Sequence, residues 1–166
     1  MGKINITEKA YQLGKEYEKF YKGCSQCVVA SLQDTFGIRN DAVFKAASGL
    51  AAGGGLATDG SCGAYSGGIM VISFLQGRER DAFANEADLA KTMELVMKLH
   101  DRFIQEYGSV ICRNIQTKLF GRPYYLADKG EFEKFEKAGA HSRHCPEVVG
   151  KTARWVATLI NEAGLA

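Results

Sequence analysis

Residues 85–108 read NEADLAKTMELVMKLHDRFIQEYG. Leu89, Met93, Val96, His100, Phe103 and Tyr107 recur at steps of three and four, the spacing that gathers side chains on one face of an α-helix. Asn85 with Asp88 supplies a start signal and Gly108 a stop, so the stretch predicts a long helix over 86–107. The same period continues on either side. Upstream, Ala10, Leu13, Tyr17, Phe20 and Tyr21 mark a helix opened by an Asn5–Glu8 capping box, with Ile4 as its staple and Gly23 as its break. A second runs from near Cys24 through Val28, Leu32 and Phe36 to Gly37. Asn40 caps a third, carrying Val43, Phe44 and Ala47 into the glycines after Leu50. An apolar helix is expected over 63–76. Downstream, a short helix starts near Cys112, and Asp128 with Glu131 opens another over 129–138. The last opens at Pro146, with Val149, Ala153, Val156 and Ile160 on one side. Strand alternation is weak throughout. The expected architecture is all-α: a single compact multi-helix domain over 1–166, with a Gly-rich loop.

That loop lies within residues 49–68, which hold eight of the 19 glycines. Gly53-Gly54-Gly55 cannot continue a helix, since each glycine costs about 1 kcal/mol there. Gly55 and Gly60 have the glycine spacing of a nucleotide-binding loop, but Ser61-Cys62 stands where Lys-Ser/Thr is required. The loop instead suits a close approach of backbone N–H groups to a thiolate or a cluster.

In 166 residues, 46% are hydrophobic and 24% charged, which is enough to build a core. Lys plus Arg total 21 against 19 Asp plus Glu, a balance that argues against a nucleic-acid partner. The longest aliphatic run, Ile69 to Ile72, is far too short for membrane insertion. Met1 to Lys9 lacks the apolar region of a secretory signal, so the expected location is cytoplasmic. Five cysteines, an odd number, do not suit a disulfide-stapled scaffold and point to metal binding or redox chemistry.

Cys24, Cys62, Cys112 and Cys145 each fall at an expected helix start, with Cys145 read as the N-cap before Pro146. Helix starts offer free N–H groups and a positive dipole end, which favour thiolates. Four such thiolates brought together suit zinc or an iron–sulfur cluster. The gaps between them are unlike the compact ligand spacings of zinc fingers, so spacing alone does not establish convergence. Thiol–disulfide exchange stays open, with Cys24 attacking and Cys27 or Cys62 resolving, since Cys24-Ser25-Gln26-Cys27 is a C-x-x-C at a helix start. Burial as inert small hydrophobes stays open too.

Cys24-Ser25-Gln26, Ala47-Ser48-Gly49, Gly53-Gly54-Gly55, Cys62-Gly63-Ala64, Gly67, Gly108-Ser109 through Cys112, and Cys145-Pro146 together resemble the C_GCAxxC_C_C family of redox-active proteins. The similarity covers about residues 20–160. It implies motif roles for Cys24, Cys62, Cys112 and Cys145. Two departures stand out: Cys27, where relatives carry a small residue such as alanine, and no cysteine closing the segment after Ala64. The family is similar in turn to the split-Soret cytochrome type, which couples haem to a cysteine-bound iron–sulfur centre. Haem does not carry over, because Cys27 is followed by Val28 and no C-x-x-C-H exists. The resemblance therefore implies the cysteine site and electron transfer, and the favoured expectation is an iron–sulfur cluster on these four cysteines serving a redox partner protein. A zinc-stabilised interaction protein is the remaining alternative, and pairing into a homodimer stays open.

Of the three histidines, His100 reads as a core or partly buried residue. His141 and His144 precede Cys145 as H-x-x-H-C, and His144 is a candidate ligand in place of one cysteine, which would favour zinc or a Rieske-like centre. Tyr124-Tyr125 reads as local core, and the scattered arginines as solvated surface.

Overall fold

The computed structural model describes residues 5–166. Among them are eight α-helices and no strand. They are α1 (Ile6–Tyr21), α2 (Cys24–Phe36), α3 (Asp41–Ala46), α4 (Gly63–Gln76), α5 (Glu86–Tyr107), α6 (Cys112–Phe120), α7 (Lys129–Lys137) and α8 (Cys145–Glu162). The all-α expectation holds.

Side-chain caps set several boundaries. Asn40 accepts from the Val43 amide, Asn85 from Asp88 and Asp128 from Glu131. Left-handed glycines stop α2, α5 and α6 at Gly37, Gly108 and Gly121. Two expected details differ. Asn5 accepts from Thr7, while the Glu8 carboxylate bonds Gln12 and Arg154, so no reciprocal box forms. The proposed Ile4 staple lies outside the described residues. Helix α3 stops at Ala46, and a 3₁₀ segment, Ser48–Gly53, carries the chain into the loop.

The core is built on α2 and α4, sandwiched by α1, α5 and α8. Helix α2 buries Ser25, Cys27, Val28, Val29, Ser31 and Leu32. It can approach α4 closely because Gly67 has no side chain: a Cβ there would lie 2.4 Å from the Ser25 carbonyl oxygen. Ser25 Oγ in turn donates to the Ala47 carbonyl at 2.8 Å, tying α2 to the start of the glycine loop.

Helix α5 buries Thr92, Leu95, Leu99, Phe103 and Tyr107. The expected stripe is therefore right at Phe103 and Tyr107 but rotated at its middle, where Met93 is exposed and His100 half-buried. Leu95 and Leu99 fill the space that α4 and α8 leave, and unbranched Met93 stays outside.

A second, smaller apolar cluster consists of Tyr124, Leu126, Phe135 and Ala140, with Phe120, Phe132 and Cys145 packed against it. Tyr125, by contrast, points out at 57% exposure, so only half of the Tyr124-Tyr125 pair is core. The two clusters meet along a seam, and the cysteines lie in it. Among the described residues no helix is long and apolar enough to cross a membrane.

Candidate metal and redox site

A cavity of about 330 Å³ opens between the two clusters. Cys24, Cys62, Cys112 and Cys145 all line it, together with Glu18, His141 and apolar side chains such as Ile115 and Phe135. Four cysteines with gaps of up to 50 residues between successive members thus converge on one space.

Three of them are placed by main chain. Cys24 is the first residue of α2, behind left-handed Gly23. Its sulfur lies against Gly63, where a Cβ would come within 2.3 Å of it. Cys62 is the N-cap of α4 and Cys112 the first residue of α6. A short antiparallel bridge, Ser61 with Ile111, sets those two side by side. The Cys62 amide donates to the Val110 carbonyl at 2.7 Å, and the Cys112 amide to the Gly60 carbonyl at 3.0 Å. The Arg113 amide reaches the Thr58 carbonyl at 2.9 Å. The loop supplying the Gly60 and Thr58 carbonyls turns left-handed at Ala52, Gly53, Gly54, Gly55, Leu56 and Thr58. Three of those are not glycine, each costing on the order of 1 kcal/mol or more, so strain is concentrated at the cavity wall.

Cys145 is held differently. It is not an N-cap, as its place before Pro146 suggested. A π turn, Ala140–His144, runs straight into α8, and the Cys145 amide already donates to the Ala140 carbonyl. The residue before it, His144, has helical φ/ψ. A helix start continued by a π turn lacks the free first-turn amides that the sequence argument required.

Burial dominates the thiol chemistry. It pushes the Cys24 and Cys145 thiols well up, and Cys62 and Cys112 up to about 12. Mutual repulsion adds to this: Cys145 feels Glu18 and all three other cavity cysteines. The loop amide of Ala52 and the helix-start amide of Ser25 favour the thiolate at Cys24, and the helix-start amides of Ala64 and Tyr65 do so at Cys62, but desolvation outweighs them. Gln116, buried beside Cys112, donates to its sulfur at 3.5 Å while its carbonyl accepts from the Tyr124 amide at 2.7 Å.

Cys27 lies just outside the cavity. It is buried, and its thiol donates to the Lys22 carbonyl at 3.2 Å. Burial and the neighbouring Glu18 raise its pKa as well.

Of the two histidines before Cys145, the candidate ligand His144 lies away from the cysteine cavity, and His141 lines it. His144 packs its ring on Phe120, accepts from Arg143 and lines a separate cavity with Lys15, Lys19 and Lys151. His141 faces the cysteines. Its Nε2 lies 3.5 Å from Glu18 Oε1 and its Nδ1 contacts Glu136. Glu18 is the residue that sequence reasoning missed. It is a carboxylate on α1 only 1% exposed, and its Oε2 has no hydrogen-bond partner. Burial raises its pKa to about 7. Its one sequence signal is position: it shares a helical face with Ala10 and Gly14, the other buried residues of α1.

The profile of a family described as "Putative redox-active protein (C_GCAxxG_C_C)" matches residues 22–159. The chain belongs to this family. Its designation closes the A-x-x segment with glycine, which Ala64-Tyr65-Ser66-Gly67 supplies, so the missing cysteine noted above is no departure. No curated protein and no solved structure matches the chain.

Proposed function

We propose that Cys24, Cys62, Cys112 and Cys145 hold an iron–sulfur cluster used for electron transfer with a redox partner protein. The observation that carries this is the convergence of four thiols, from four separate elements, on one largely apolar cavity. The donor set fits: soft sulfur ligands in a dry pocket suit a cluster. Burial and mutual repulsion hold the thiols protonated, and a bound polynuclear cation relieves both when they ionise.

Spacing supports several metal ions over one zinc. A single tetrahedral zinc with ~2.3 Å bonds needs sulfurs about 3.8 Å apart. Among the described residues no three cysteine sulfurs lie within 4.8 Å of one another. Thiol–disulfide exchange is the weaker reading, because attacking thiols work as thiolates and burial raises every cysteine of the chain.

The cluster would supply one-electron chemistry. The protein positions the ligands through the Cys62–Val110 and Cys112–Gly60 bonds, directs the Ala52, Ser25, Ala64 and Tyr65 amides at sulfur, and keeps water out with Ile115, Phe120 and Phe135. The test is the iron and acid-labile sulfide content of anaerobically purified protein beside Cys62→Ala. Near-equal iron and sulfide, lost in the variant, is the expected result. Neither element in freshly reconstituted protein would overturn the reading.

A further inference from the structure

At the π-turn end of the cavity three unlike donors meet. The Glu18 carboxylate, His141 imidazole and Cys145 thiol each offer one atom, and these lie within 4.8 Å of one another. No other set of three or more such donors does so among the described residues. Glu18 lies outside the segment that the family profile matches, so the family resemblance does not point to it.

Two further observations show that the group is built to bind something. First, Glu18 is almost wholly buried with Oε2 unpartnered, and it lines the cavity. Cys27 and His141 neighbour the carboxylate, yet Oε2 stays without a partner, which is costly in a buried carboxylate unless a cation joins it. Second, His141 is oriented as metal-binding histidines are. Its Nδ1 is taken by Glu136, and Lys22 holds Glu136 in turn at 3.1 Å. With the proton on Nδ1, the Nε2 lone pair faces Glu18. The 3.5 Å from Nε2 to Oε1 is long for a hydrogen bond and close to the edge, about 3.4 Å, of a tetrahedron of nitrogen and oxygen ligands around zinc.

We propose that Glu18, His141 and Cys145 bind one divalent transition-metal ion, of the zinc or ferrous-iron class, with its remaining coordination position open to the cavity. A mixed sulfur, nitrogen and oxygen set selects such ions over calcium or magnesium. A carboxylate, a thiolate and a neutral imidazole also balance a divalent charge, which suits an apolar surrounding. Three protein ligands and an open position is the arrangement of metal sites that act on a bound molecule rather than purely structural ones. Cys145 is common to this ion and to the four-cysteine centre, and only that link rests on the cluster reading.

The experiment uses the full chain, reduced and metal-free, titrated anaerobically with cobalt(II). One equivalent is expected to bind with sulfur-to-cobalt charge transfer and tetrahedral ligand-field bands. Glu18→Gln and His141→Ala each abolish that signal, Glu136→Gln weakens binding by about 10–100-fold, and Cys24→Ser retains it. Cobalt binding that is absent, or unchanged in Glu18→Gln and His141→Ala, overturns the proposal. So does loss of the signal in Cys24→Ser. Sulfide content, measured on separate anaerobic preparations of wild type, Glu18→Gln and His141→Ala, reads the cluster independently. Sulfide retained in the two variants with cobalt binding lost separates the two centres, and either can fail alone.

Discussion

On the glycine-loop side of the cavity, sulfur positions follow from main-chain bonds; on the π-turn side they follow from side chains. Cys62 and Cys112 are fixed through their own amides, and Cys24 through its contact with Gly63. Cys145 comes in on a continuous helix and finds Glu18 and His141 beside it. The difference separates two kinds of ligand chemistry. Main-chain amides aimed at sulfur stabilise negative charge without choosing a metal. A carboxylate and an imidazole add harder donors and so narrow the choice.

The largest effect that sharpens this contrast is on the main-chain side. Gly67→Ala forces a Cβ to within 2.4 Å of the Ser25 carbonyl oxygen, against main chain that cannot swing aside. It is expected to cost about 3 kcal/mol, read from denaturant unfolding. Gly63→Ala makes the complementary break: its closest clash is with the Cys24 sulfur, a side-chain tip. It should lose bound iron out of proportion to its loss of stability. Equal losses of both in the two variants would show that sulfur placement and helix packing are not separable here.

A smaller effect probes the seam between the walls. Gln116→Leu removes the acceptor of the buried Tyr124 amide and the donor to Cys112. About 2 kcal/mol of stability should go, since an unsatisfied buried amide remains. The smallest concerns the π-turn side alone. Asp128→Ala deletes the cap of α7, whose Phe135 lies in the second cluster, and should cost about 1 kcal/mol in thermal unfolding. Iron content should not change, because no cavity cysteine is carried by α7.

What the sequence made legible was local. Caps at Asn40, Asn85 and Asp128 and stops at Gly37 and Gly108 act within one turn of the chain, and they place helices nearly to the residue. Cys24, Cys62 and Cys112 were legible because each stands at a helix start, and Cys145 joined them through its place before Pro146, although a π turn continues its helix. The rest depends on distant partners. Which face of α5 is buried depends on the room left by α4 and α8, so Leu95 and Leu99 displaced Met93. The Ser61–Ile111 bridge joins residues far apart in sequence and has no alternation to announce it. Nothing near Cys145 signals a π turn except Gly139, and that turn is what swaps His141 for His144. Glu18 reads as one more charged residue on an amphipathic helix until α8 and the π turn are packed over it.

The aromatic packing around Trp155 has an optical consequence. It is the single tryptophan of the chain, set edge-on to Phe103 at 5.5 Å and to Tyr107 at 6.4 Å between ring centroids. Its fluorescence therefore watches the junction of α5 with α8. The smaller cluster around Tyr124 and Phe135 contains no tryptophan. Melting of that cluster alone would leave tryptophan emission nearly unchanged while helical circular dichroism fell, and the two signals, recorded together, tell whether the cavity opens before the molecule unfolds.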